Sequence, residues 1–527
     1  MRIQLSEKYL QEFAPVIDHL VAEKVASRIA ALDSHLWGEA AQPEASIRLG
    51  WVNAWTESRK LLPLISNASK ILKAAGVTRF MLCGMGGSSL APEVLAIYKD
   101  LPLEILDSTN PDQIIGALAK GLDNLAVFVS SKSGTTVETT SQFKLFQEKF
   151  LASGIDPIER IIVITDPGSA LDIAARKDGF QVFNADPNIG GRYSALSAFG
   201  IVPAALAGFD VASLLDDAEA ITAQLSLDTA DNPALLLGAF LASTPNIGLA
   251  PLSKETVALP AWIEQLVAES TGKESKGILP IALEADAPEL SSRPDDIKIA
   301  GLDFTEHSDS APLSSGEYDA IVSGSIAEQF VVWEWATVIA SFLIGINPFD
   351  QPDVESAKIA ARSALAAGAS SLPAPHLSNP KINDLESHLQ KLLSELTSDG
   401  YFSIQAYLDR KELAELEKLR PLLSEITGRP VTFGWGPRFL HSTGQFHKGG
   451  PKRGVFLQIT AKASELTIPG DTTFNALIAA QAAGDRVVLE KARLPVLSIF
   501  FDNPKDSLEL LNVVSSLKSF QENNGED

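Results

Sequence analysis

The chain has 527 residues, 45% of them hydrophobic, enough to bury large cores and to divide into two or three domains. Its 43 basic and 66 acidic side chains give a formal charge of −23, which argues against a nucleic-acid partner, and its single cysteine, Cys83, excludes an intramolecular disulfide framework. The N-terminus MRIQLSEKYLQEF lacks a signal core and no apolar run approaches the ~20 residues of a membrane span, so no membrane contact is expected and the cytoplasm is the expected compartment.

Residues 6–32 set Leu10, Phe13, Val16, Ile17, Leu20, Val21, Val25, Ile29 and Leu32 at three- and four-residue spacing, which predicts an amphipathic helix bent near Pro15. A further helical stretch follows around residues 53–74. The short apolar runs FMLCG, LEIL, AVFVS, IIVIT and FQVF then alternate with helix-like segments such as Glu138–Phe150 and Ser169–Arg176, the pattern of a parallel sheet wrapped by helices. A second unit starts near Pro233 and includes the strongly apolar stretch Phe330–Ile346. The segment Ala364–Pro380, rich in Ala, Ser and Pro, reads as a linker. Beyond it, helices around residues 382–397 and 411–425 and the runs YFSIQAYL, GVFLQIT and VLSIFF predict a small α+β module. The expected division is residues 1–232, 233–363 and 381–527.

An acidic protein acting on an anion needs local cations and backbone N–H groups. After AVFVS comes Ser131-Lys132-Ser133-Gly134-Thr135-Thr136, with Val137-Glu138 opening a helix. A helix N-terminus offers free N–H groups and positive potential, and hydroxyls interleaved with glycine add donors, so the segment suits a phosphate; alone it also reads as a helix cap. A second strand-to-helix loop, Gly84-Met85-Gly86-Gly87-Ser88-Ser89, lacks the GxGxxG spacing and a Walker lysine, so neither NAD nor ATP is favoured. Two such loops at the carboxyl ends of strands in one sheet indicate a phosphorylated ligand. Gly190-Gly191-Arg192-Tyr193-Ser194 offers a cation on a flexible turn, and Glu269-Ser270-Thr271-Gly272-Lys273 sets a carboxylate at a helix end. Taken singly, each reads equally as surface structure.

Together, GMGGSSL, SSKSGTTVET, GGRYSALSAFG, ESTGKESKGILP and NPFDQPDVESAK resemble the segments of the phosphoglucose isomerase family, in that family's order and over about residues 50–360. The resemblance implies an α/β fold with two sugar-isomerase-type parallel-sheet sandwich domains, followed here by the C-terminal module. It implies interconversion of glucose 6-phosphate and fructose 6-phosphate in glycolysis and gluconeogenesis, with no cofactor and no metal. By resemblance, Glu269 is the base that moves a proton between C2 and C1, Arg192 steadies the enediolate, and Lys358 lies near the ring oxygen. Gly87, Ser88, Ser131, Lys132, Ser133, Thr135 and Thr136 match substrate- and phosphate-binding positions, with Gln265 and Gln351 as glutamine contacts. These residue types suit the chemistry, because abstracting a proton beside a carbonyl needs a close base and a cation where charge develops.

The chain departs from the family at its ring-opening histidine. The only histidine between Glu269 and Lys358 is His307, in the polar loop FTEHSDS, which reads as surface. The matching segment, His441-Ser442-Thr443-Gly444-Gln445, lies about eighty residues after Lys358 and resembles the HSxGQ motif of shorter bacterial members. That order also resembles the isomerase half of bifunctional transaldolase–phosphoglucose isomerase chains; a stand-alone isomerase is expected here. The third module is expected to bring His441 over the site, within one subunit or across a homodimer. His447 is a second candidate, and Arg438, Lys448, Lys452 and Arg453 make the strip basic, as a dianionic substrate would require. The competing readings are a non-catalytic phosphosugar-binding protein and an isomerase that also accepts mannose 6-phosphate.

Overall fold

The computed structural model describes residues 1–304, 318–353, 359–363, 365 and 372–524. Among these, the strands form three five-stranded sheets. The first consists, in spatial order, of Leu103–Leu106, Arg79–Gly84, Leu125–Ser130, Ile161–Thr165 and Gln181–Asn184, all parallel. They are the five apolar runs. The central strand Leu125–Ser130 is buried throughout, which is why it reads as a continuous apolar run rather than an alternating one. Chain order across the sheet is second, first, third, fourth, fifth. Connections from the first and third strands therefore leave on opposite sides, and a crevice opens between their carboxyl ends, where Gly84–Ser89 and Ser130–Thr136 lie.

The second sheet orders Leu279–Ala282, Asn246–Pro251, Lys298–Asp303 and Ala320–Ser323 in parallel, with Arg2–Leu5 antiparallel on its edge. The N-terminal strand thus joins the second sheet, which corrects the grouping of residues 1–232 with the first unit. Such a pairing between distant segments leaves no local signal. The helix expected over 6–32 contains Pro15 within Glu7–Ala22 and breaks instead at Lys24, whose φ of 54° ends one helix before Val25–Ala30 begins. The stretch 53–74 divides into Ala54–Arg59 and Leu62–Ala74. Helix Ile326–Ile344, opened by a Ser325–Glu328 capping box and closed by Gly345, is apolar on all sides. It is long and apolar enough to cross a membrane, contrary to the expectation from run length. However, 83% of its most apolar window is buried inside the protein, against Pro233–Ala242 and Leu259–Thr271.

The third sheet orders Val431–Trp435, Tyr401–Tyr407, Gly454–Ala461, Val496–Phe501 and Leu377–Ser378, again all parallel. One face carries Phe402, Ile404, Leu457, Ile459 and Ile499 into a core shared with Leu389, Leu423 and Val513 of three helices. The expected α+β module is therefore α/β. Apolar runs reveal strands but not whether neighbours run parallel. Leu377–Ser378, inside the expected linker, belongs to this sheet, so the module begins before residue 381. Two apolar contacts dock it: Phe474 and Leu477 join the core beneath the first sheet, while Tyr401, Phe446, Phe456 and Leu489 join that of the second.

Candidate active site

The loop Ser131–Thr136 leads directly into helix Val137–Ala152, with Thr136 at its N-cap position. Ser131 Oγ accepts from the Gly134 N–H at 3.2 Å and donates to Thr136 Oγ1 at 3.0 Å. Ser133 Oγ accepts from the Thr135 N–H at 3.2 Å. Lys132, expected near the substrate, is bound by Asp166 and by the Pro187 carbonyl at 3.3 Å. Burial pushes the Asp166 carboxyl up, against the pull of Lys132. Ser88 closes the tight turn Gly86–Ser88. Gly87 lies so near the Arg192 turn that an added Cβ would stand 1.8 Å from the Gly191 carbonyl oxygen, so this glycine permits the close approach of two motif segments.

Gln265 and Glu269 lie one turn apart on helix Leu259–Thr271. Gln265 Nε2 donates to Glu269 Oε2 at 3.2 Å and to the His441 carbonyl at 2.9 Å. Arg192 Nη1 stands 3.7 Å from Glu269 Oε2, with Arg192 3% and Glu269 9% exposed. Arg192 Nη2 donates to the Asp350 carbonyl at 3.0 Å and to Gln351 Oε1 at 2.8 Å. Two buried polar atoms here, Arg192 Nη1 and Gln265 Oε1, have no hydrogen-bond partner among the described residues. Buried groups rarely forgo partners, so both offer unmet capacity to a polar ligand. Lys273, which spacing alone did not single out, donates to Asn347 O, Asp350 O and Asp350 Oδ1 at 2.6–2.7 Å and so ties down the turn that carries Gln351. Burial, reinforced by the Arg192 charge, lowers its ammonium to about 8. Lys358 and His307 lie outside the described residues.

His441 ends the short 3-10 helix Arg438–His441 of the third module. Its Nε2 lies 3.0 Å from Glu138 Oε1, on the first turn of the helix that begins at the Ser131–Thr136 loop. Gln481 Nε2 also donates to Glu138 Oε1, at 2.7 Å, and Thr109 Oγ1 donates to Gln481 Oε1 at 2.6 Å. Glu138 carries one signal in the sequence, an acid in a first helical turn, where it also complements the helix dipole. Gln445 of the same HSTGQ segment donates to the Gly272 carbonyl at 2.9 Å and to Asp353 Oδ2 at 2.7 Å, and accepts from the Asp353 N–H at 3.1 Å. It thus joins three of the motif segments.

Two expectations are corrected. His447 does not face this site: it is 2% exposed, with Nδ1 2.9 Å from the Tyr401 hydroxyl and Nε2 3.4 Å from Ser403 Oγ. Burial, reinforced by Lys448, lowers its imidazole to about 3. Nor do Arg438 and Lys448 of the basic strip supply free charge, because Arg438 binds Glu93 and Asp107, and Lys448 binds Asp485 at 2.6 Å. Lys452 turns to the Lys448 carbonyl, and Arg453 to Asn246 and the Asp399 carbonyl. A sequence shows the cations of one segment but not the distant acids that neutralise them.

A buried carboxylate beside a guanidinium, a histidine held by a second carboxylate, and a hydroxyl-rich helix N-terminus together suit proton transfer on a phosphorylated substrate. Comparison with known proteins agrees. Residues 64–278 match the family model described as phosphoglucose isomerase. The glucose-6-phosphate isomerase of Rubrobacter xylanophilus is 29% identical over 371 residues, 57% of this chain and 85% of that protein. The probable glucose-6-phosphate isomerase of Haloarcula marismortui is 27% identical over 332 residues, 53% of this chain and 76% of that protein. The fold is shared with a glucose-6-phosphate isomerase from Chlamydia trachomatis (TM-score 0.52, 20% identity, 71% of this chain and 81% of that one). It is also shared with a hypothetical protein from Thermus thermophilus (TM-score 0.54, 22% identity, 69% of this chain and 100% of that one). By these matches residues 64–278 carry a phosphoglucose isomerase family domain.

Proposed function

We propose that the chain reversibly converts glucose 6-phosphate to fructose 6-phosphate through an enediolate, with Glu269 as the base. The observation that carries this is the placement of Glu269 and Arg192, both buried, with Arg192 Nη1 3.7 Å from Glu269 Oε2 and without a hydrogen-bond partner among the described residues. Binding alone does not require a buried base, which weighs against a phosphosugar sensor. The Ser131–Thr136 hydroxyls and the N–H groups of the helix behind them receive the phosphate. His441, whose Nε2 is engaged by Glu138, exchanges a proton with the cyclic sugar through Nδ1 and opens the ring. Glu269 then takes the proton from the carbon beside the carbonyl and returns it to the neighbouring carbon. Arg192 faces the oxygen on which negative charge grows.

Within the chain, the His441 imidazole meets Glu138 and its carbonyl meets Gln265, one turn from Glu269. The buried, unpaired Cys83 accords with a cytoplasmic setting. The test is conversion of fructose 6-phosphate, coupled to glucose-6-phosphate dehydrogenase, by wild type and Glu269→Gln. A loss of at least ~100-fold in kcat with modest change in KM is expected, because the substitution removes the base and keeps the shape. Equal rates would sink the assignment. Mannose 6-phosphate in the same series reads whether the epimer is also a substrate.

A further inference from the structure

The turn that presents His441 begins at Arg438, whose guanidinium enters a largely buried charge cluster spanning two units, with Asp107 fully enclosed and Glu93, Arg410 and Arg438 partly so. Arg438 binds both Glu93 and Asp107, while Arg410 lies 3.2 Å from Glu93 Oε1 and 3.3 Å from Asp107 Oδ1. Glu93 sits on helix Leu90–Lys99, just after the Gly86–Ser88 turn, and Asp107 follows strand Leu103–Leu106. Both acids belong to the first sheet's unit and both arginines to the third. Burial works to raise the Glu93 carboxyl, but Arg438 and Arg410 hold it down, at about 2.

Two guanidiniums against two carboxylates leave no net charge for a substrate to use. An ion cluster of this kind adds little stability over apolar packing, but it favours one placement, since a shift of Arg438 leaves the enclosed Asp107 carboxylate short of a partner. In a 3-10 turn, residues three apart eclipse one another, so fixing Arg438 fixes His441. At its far end the same turn is held by Glu138 at the imidazole and by Gln265 at the His441 carbonyl.

We infer that Arg438 is the positioning residue for His441, and that its bridges to Glu93 and Asp107 are what let a histidine from a late module serve the site. The inference rests on the assignment of ring opening to His441. The full-length protein is assayed as wild type, His441→Ala, Arg438→Met and Arg438→Lys on fructose 6-phosphate and on 5-deoxyfructose 6-phosphate, whose missing hydroxyl prevents ring closure. Arg438→Met is expected to lower kcat on fructose 6-phosphate about 10- to 100-fold, the cost of a displacement near 1 Å. Turnover of the 5-deoxy ketose should stay within about threefold. Arg438→Lys, which keeps the charge but bridges two carboxylates poorly, should fall between Arg438→Met and wild type. If His441→Ala separates the two substrates and neither Arg438 variant does, the inference is overturned. If His441→Ala itself affects both substrates equally, the ring-opening assignment falls instead, and this inference with it.

Discussion

The first and third sheets order their strands alike, edge strand aside, yet they serve the site from different places. The first contributes from the carboxyl ends of its first and third strands, where Gly84–Ser89 and Ser131–Thr136 meet at the crevice between diverging connections. The third contributes from the connection after its outer strand Val431–Trp435, where Arg438, Gln445 and Phe446 bind segments of the other two units and His441 itself meets Glu138 and Gln265. The first arrangement puts strand, loop and helix in one continuous segment, so its chemistry follows from local geometry. The second depends on docking, and a long-range contact has to hold each functional atom.

The difference predicts how each side fails. Glu138 links the two, since it opens the first unit's helix and holds the third module's histidine. Glu138→Gln removes the charge while keeping the shape, and should lower kcat on fructose 6-phosphate by up to ~100-fold while sparing the open-chain 5-deoxy ketose. An equal loss on both substrates would undo the contrast, because the carboxylate would then serve the phosphate side as well. Ser131→Ala acts on the local side alone. It removes one hydroxyl from the cradle and should raise KM about tenfold, with kcat within about threefold, as measured by initial rates over a range of substrate concentrations. A fall in kcat with unchanged KM would count against phosphate binding there.

The smallest effect at neutral pH concerns His447, in the docking face of the third module. Its folded imidazole is lowered to about 3, against 6.5 for the free group. Above pH 6.5 both states are neutral; as the pH falls from 6.5 toward 3, the unfolded chain binds a proton that the folded chain refuses, so stability declines across that window. His447→Gln should flatten this decline when urea midpoints are compared at about pH 7 and pH 5, while leaving kcat at neutral pH within about twofold. An unchanged slope would remove His447 from the acid response.

The strands of the first sheet and the Ser131–Thr136 loop were legible because apolar runs and helix starts are local signals. Glu269 and Arg192 owed their roles to family resemblance, and the fold adds their 3.7 Å separation and shared burial. Glu138 stayed unread, since an acid in a first helical turn has an ordinary explanation. Arg438 and Lys448 of the basic strip are neutralised by acids, Glu93, Asp107 and Asp485, that lie far away in sequence.

Local patterns in the chain were enough to show the strands of the first sheet and the helices between them, and to single out a hydroxyl-rich loop at a helix start. It took the packed molecule to establish that Arg2–Leu5 edges the second sheet, that the third module is α/β, and that His441 rather than His447 meets the first unit's helix. Hydrophobic periodicity and helix capping act between near neighbours in the chain. Strand partners, neutralising charges and the placement of one imidazole depend instead on which distant surfaces become buried together.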